Sequence, residues 1–183
     1  MRIEQTPLKG CFIVHEKVHG DARGYFIETH NSRDFKAATG LDIEFVQDNQ
    51  SRSSKGVLRG LYMQRGAAAQ AKLVRVLEGA VLDVAVDLRN GSPSFGQHFA
   101  IELTADNNKQ FFVPAGFAHG FVVLSETATF FYKVDKFYEP GNEVGIAYND
   151  KDLNIDWQLN DASIILSEKD KMLGSFAEYA ASL

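Results

Sequence analysis

The chain has 183 residues, 45% hydrophobic and 23% charged, a globular balance that excludes a disordered chain and suits one domain with a proper core. Its net charge of -5 excludes the basic face that nucleic-acid binding needs, so any anion site must be a local cluster of Arg and Lys. One cysteine, Cys11, excludes an intrachain disulfide and points to a reducing cytoplasm, and neither a leader nor a membrane-spanning run is visible, so no membrane partner is expected.

In chain order, GCFIVH (10–15) and GYFIETH (24–30) read as short strands. SRDFKAATG (32–40) reads as a helix capped by Ser32 and ended at Gly40. GVLRGLYMQ (56–64) has the look of the end of an active-site strand. AKLVRVLEGAVLDVAVDL (71–88) is two strands joined by a tight hairpin at Glu78-Gly79, where Gly79 supplies a positive φ. Within it, Val81, Asp83, Ala85 and Asp87 share one face; Leu82, Val84, Val86 and Leu88 share the other, which is the core face. Further strands are expected at 96–104, 109–114, 119–125 and 128–135. SEKDKML (167–173) has Ser-x-x-Asp capping-box spacing, with Asp170 in the last place. Many evenly spaced strands and few helices give an all-β chain, a sandwich or barrel, of which a jelly roll is one form.

Polar residues interrupt these strands at Arg59, Lys72, Arg75, His119, Tyr132 and Lys133. Pointing inward in a jelly roll, such side chains would line a ligand site. PAGFAHGF (114–121) resembles the second half of the cupin signature, Pro-x-Gly-x-x-His, with His119 turned inward. Where metal-binding cupins carry His-x-His, this chain has Tyr62-Met63-Gln64, a poor ligand set, so no metal is expected. Arg59 and Arg23 each adjoin a glycine, in LRGL and ARGY. Their guanidinium forks suit phosphate oxygens, the glycines would let a bulky ligand approach, and Lys72 is expected on a neighbouring strand.

GDARGYFIE, FVQDNQS, VLRGL, QAKLVRVLEGAVLDVAVDLR, GSPSFGQH, VPAGFAHGFVVLSE, FYKVDKFY and LSEKD follow one another along almost the whole chain. In this order they closely resemble the dTDP-4-dehydrorhamnose 3,5-epimerase family. The resemblance implies a cupin-type jelly roll (double-stranded β-helix) with a few short helices. It implies one domain over 1–183, with the barrel core at roughly 45–140 and a C-terminal extension at 141–183. It also implies a homodimer, no cofactor, and a nucleotide-linked, dTDP-type 4-keto-6-deoxyhexose as substrate for the rhamnose of surface polysaccharide. The 4-keto group acidifies the C3 and C5 protons; a base removes one and an acid returns it to the opposite face.

By the same resemblance, Lys72 stabilises the enolate oxygen, Tyr132 is the acid, Arg59 and Arg23 hold the diphosphate, and His119 lines the sugar pocket. Gln47, Asn49, Glu28 and Phe26 match positions near the nucleotide, some reaching across the dimer, and Tyr138 and Glu143 complete the substrate-binding set. Asp170 orients the base, but the family's base histidine, in RGLH, is Tyr62 here. An unperturbed phenol is only about one part in a thousand ionised at pH 7, unless Lys72 or Arg59 lowers its pKa against Asp170. Three readings stay open. The chain is an epimerase using Tyr62, His119 or a water on Asp170 as base, a related single-site epimerase or isomerase, or a nucleotide-sugar binder without catalysis.

Overall fold

The computed structural model describes every residue from Met1 to Leu183. The strands are β1 (Arg2–Gln5), β2 (Phe12–His15), β3 (Val18–Asp21), β4 (Gly24–Ile27), β5 (Gln47–Ser54), β6 (Leu58–Gln64) and β7 (Lys72–Glu78). They continue as β8 (Ala80–Asp87), β9 (His98–Thr104), β10 (Lys109–Val113), β11 (Phe117–Val123), β12 (Thr127–Val134) and β13 (Glu143–Gly145). Three short helices, α1 (Ser32–Thr39), α2 (Glu168–Lys171) and α3 (Phe176–Ala181), complete the set. Two antiparallel sheets face each other, ordered β1-β2-β10-β7-β12-β5 and β13-β6-β11-β8-β9. This is the double-stranded β-helix arrangement of a cupin-type jelly roll. β3 and β4 pair only with each other, as a separate hairpin.

Period-two alternation sorts the apolar side chains into layers. Val74, Val76, Phe111 and Phe130 of the six-stranded sheet meet Val81, Ala85, Phe121 and Val123 of the other. The outer face of the six-stranded sheet, with Phe12, Val14, Leu73 and Phe112, is covered by Phe35 of α1. Phe35 is 1% exposed, a burial that contributes about 2–3 kcal/mol. The outer face of the five-stranded sheet carries Leu82, Val84, Val86 and Val122, and is covered by Ile146, Leu153 and Trp157. β8 is therefore buried on both sides. The face read as non-core from its two aspartates is also interior, with Asp83 and Asp87 at 0% exposure.

Gly79 takes the expected positive φ, 77°, and a Cβ there would lie 2.1 Å from the Thr127 carbonyl oxygen. The expected hairpin does not form: β7 belongs to the six-stranded sheet and β8 to the five-stranded one, so the turn carries the chain from one sheet to the other. Gly40 ends α1 in the left-handed region at φ 75°. The cap of α1 differs from expectation: Asn31, not Ser32, accepts from the Arg33 and Asp34 N–H groups. The Ser167–Asp170 capping box is present at the start of α2.

Candidate active site

A cavity of about 470 Å³ opens between the sheets, in the size range of small-ligand sites. Its six-stranded wall presents Gln47 and Asn49 of β5, Lys72 of β7, and Phe130 and Tyr132 of β12. The opposite wall presents Arg59 and Tyr62 of β6, His119 and Phe121 of β11, and Glu143 of β13; Tyr138 closes one side. Arg59 and Lys72 thus face each other from opposite sheets rather than from neighbouring strands. Of the other polar interruptions, Arg75 and Lys133 alternate to the outer face, where Lys133 pairs with Asp48 at 2.9 Å.

A bulge aims two residues of β6 at once. Phe121 pairs with Arg59 and His119 with Tyr62, so two steps along β11 match three along β6, and the register shifts between them. The glycine beside Arg59 serves this geometry rather than ligand approach. A Cβ on Gly60 would meet Gly120 Cα and His119 O at 2.7 Å each, so only a glycine lets β6 and β11 come this close.

The Tyr62 hydroxyl donates to Asp170 Oδ1 at 2.8 Å. Asp170 also accepts from the Gly60 and Ser167 N–H groups, each at 3.2 Å, and from the Ser167 hydroxyl. One carboxylate therefore caps α2 and binds the phenol. Burial raises the Tyr62 pKa, and the bond to Asp170 raises it further. Neither Lys72 nor Arg59, the two candidates for lowering it, offsets this. Lys169, missed in the sequence, lies 4.6 Å over the Tyr62 ring and pairs with Glu143.

Burial also sets the state of the other groups. It lowers Lys72 to about 8, against the pull of Asp83 and Glu143. It raises Tyr132, which keeps its proton, with Arg59 opposing. The Arg59 guanidinium donates to the neutral Ser53 hydroxyl at 3.3 and 3.2 Å, which leaves its charge open to an anion. His119 Nε2 bonds both oxygens of Asp83, at 2.9 and 3.0 Å. Asp83 was not singled out from the sequence; an aspartate inside VLDVAV was the available signal, because a buried charge needs a partner. No group of three or more His, Cys, Asp or Glu is assembled to hold a metal.

Three expected residues do not join this cavity. Arg23 and Phe26 sit on the β3–β4 hairpin with Arg23 paired to Asp21, and Glu28, just after it, accepts from Asn31 at 3.1 Å. Phe26 is 68% exposed.

The sequence profile of dTDP-4-dehydrorhamnose 3,5-epimerase matches residues 5–178. The chain belongs to this family. It is 51% identical to the dTDP-4-dehydrorhamnose 3,5-epimerase of Pseudomonas aeruginosa over 178 residues, 97% of each chain. A crystal structure of the Elizabethkingia anophelis epimerase superposes with a TM-score of 0.94 at 55% identity, covering 97% of each chain. The Legionella pneumophila epimerase in complex with dTDP-4-keto-L-rhamnose superposes at 0.92 and 45% identity, over 97% of this chain and 96% of that one. The chain is thus an enzyme of the epimerase class, on the cupin-type fold expected from its sequence.

Proposed function

We propose that this chain epimerises a dTDP-linked 4-keto-6-deoxyhexose. The carrying observation is the pairing, in one cavity, of a desolvated Lys72 with a protonated Tyr132. The Lys72 ammonium faces the 4-keto oxygen, which becomes an oxyanion when a neighbouring C–H bond breaks. A fixed cation out of water stabilises that charge far more than a solvated one. Tyr132 keeps its proton until the enolate carbon takes it from the six-stranded wall. Arg59 holds the diphosphate, and Gln47, Asn49, Tyr138 and Glu143 hold the nucleotide and sugar. Asp170 keeps Tyr62 in place. Arg23, Phe26 and Glu28 serve the site of a second copy, which makes the working form a homodimer, and the reducing cytoplasm is its compartment.

A second reading, epimerisation at one carbon only, is favoured by Tyr62, whose hydroxyl is tied to Asp170 where the family places a base. The test is solvent deuterium incorporation into dTDP-4-keto-6-deoxyglucose, read by proton NMR at C3 and C5. Exchange at both carbons supports the double epimerase, and at one the single-site enzyme. No exchange sinks both and leaves a binding protein. Tyr132→Phe should lower turnover by about a hundredfold or more; unchanged turnover would remove Tyr132 from the acid role.

A further inference from the structure

Breaking a C–H bond beside the ketone needs a base, and the two groups at the family's base position are both occupied. Tyr62 donates its hydroxyl to Asp170 at 2.8 Å and is a donor, not an acceptor, in this arrangement. Asp170 is 6% exposed and already accepts four hydrogen bonds, as many as a carboxylate has lone-pair sites. It has no acceptor direction left for a water or a substrate proton.

The same wall carries a carboxylate–imidazole pair, Asp83 and His119, with the imidazole lining the cavity. His119 stands opposite Ala85 on β11, and Phe121 opposite Asp83, so Asp83 is the diagonal neighbour of His119 on the inward face. Asp83 is 0% exposed and its side-chain partner is His119 alone, through Nε2 at 2.9 and 3.0 Å. An ionised carboxylate only accepts, so Nε2 carries the hydrogen. In the neutral ring the lone pair is then on Nδ1. Nδ1 has no partner within the chain, and His119 lines the cavity.

We propose that His119 is the general base of this enzyme, with Nδ1 taking the substrate proton and Asp83 positioning the ring. This rests on the epimerase reading above. The C–H bond breaks, its electron pair forms the enolate double bond, and the carbonyl oxygen becomes an oxyanion facing Lys72. The proton on Nδ1 makes an imidazolium, balanced by Asp83. Tyr132 then gives its proton to the same carbon from the other side. The imidazolium and the phenolate reset by proton exchange with water. His119 belongs to the five-stranded sheet and Tyr132 to the six-stranded one, so base and acid act from opposite walls, as inversion demands.

The experiment compares the parent chain with His119→Asn and His119→Gln for deuterium incorporation into dTDP-4-keto-6-deoxyglucose, with dTDP affinity measured by calorimetry. Both variants should exchange about a hundredfold more slowly or worse, with dTDP affinity within about threefold of the parent. Asp83→Asn should lower kcat about tenfold or more while KM stays within about threefold, a split that a loosened fold would not give. Exchange by either His119 variant within about fivefold of the parent overturns the base. Loss of dTDP binding in both variants also overturns it, by assigning His119 to the binding site's integrity. No exchange by the parent chain sinks the epimerase reading itself, and the base with it.

Discussion

Lys72 stands in the cavity wall with its ammonium taken out of water, and Asp83 and Glu143 compensate only in part. Its pKa of about 8 therefore sits close to the working pH, unlike that of a surface lysine. Enolate stabilisation needs the protonated amine, and that form is lost as pH rises through about 8. Tyr132 is shifted upward by burial, so its proton remains through this range. The alkaline limb of kcat/KM should accordingly fall near pH 8 and drop about tenfold per pH unit beyond it. Lys72→Arg, which keeps the charge at every accessible pH, should carry less activity but lose that limb. A parent profile flat to about pH 9.5 would mean that Lys72 does not supply the charge. At this scale the sequence was a good guide to residue types and a poor one to their partners. Lys72, Tyr132 and His119 could be picked out as polar breaks in apolar strands. Asp83 could not be paired with His119, because the partner lies one strand over and 36 positions away.

The elements that were easiest to read are those with an apolar face. β7, β8, β10, β11 and β12 alternate against a core, and period two reveals them. β5, QDNQSRSS, was missed because it has no apolar residue; its inward face lines the cavity instead of the core. β1, β3 and β13, RIEQ, VHGD and EVG, hold one apolar residue each and give no pattern, whereas the equally short β2 and β4 show theirs through FIV and YFI. The bulge in β6 was also hidden, since its cause is the close backbone of β11. That contact gives a test. Gly60 has φ 121°, and an added Cβ would sit 2.7 Å from two backbone atoms that cannot swing away. Gly60→Ala should destabilise the chain by about 3 kcal/mol or more, seen as a lowered urea midpoint. Gly141→Ala, with open space around the new methyl, should stay within about 0.5 kcal/mol. Equal midpoints for the two variants would mean that β6 and β11 do not need the glycine pair.

Across the whole molecule, one part lacks the packing that the rest enjoys. The β3–β4 hairpin pairs with no other strand, and Val18, Tyr25 and Phe26 on it are 42%, 63% and 68% exposed. A two-stranded hairpin is marginal in water without a surface to pack on, and aromatic side chains left in solvent forgo the burial that would hold it. The same hairpin bears Arg23 and Phe26, two of the substrate contacts that the family resemblance implies, yet neither lines the chain's own cavity. The homodimer proposed above accounts for both facts, with the hairpin covering the second copy's surface and completing its site. The protein should sediment as a dimer at micromolar concentration. Phe26→Ser should shift it toward monomer, because the hairpin's most exposed aromatic side chain is removed and hot-spot aromatics commonly carry about 2 kcal/mol or more each. Turnover should fall with dimer content and recover as protein concentration rises, because Arg23 returns to the partner's site only when the copies associate. A monomer with full turnover at every concentration would confine the substrate to contacts from one chain and leave the hairpin without a catalytic reason.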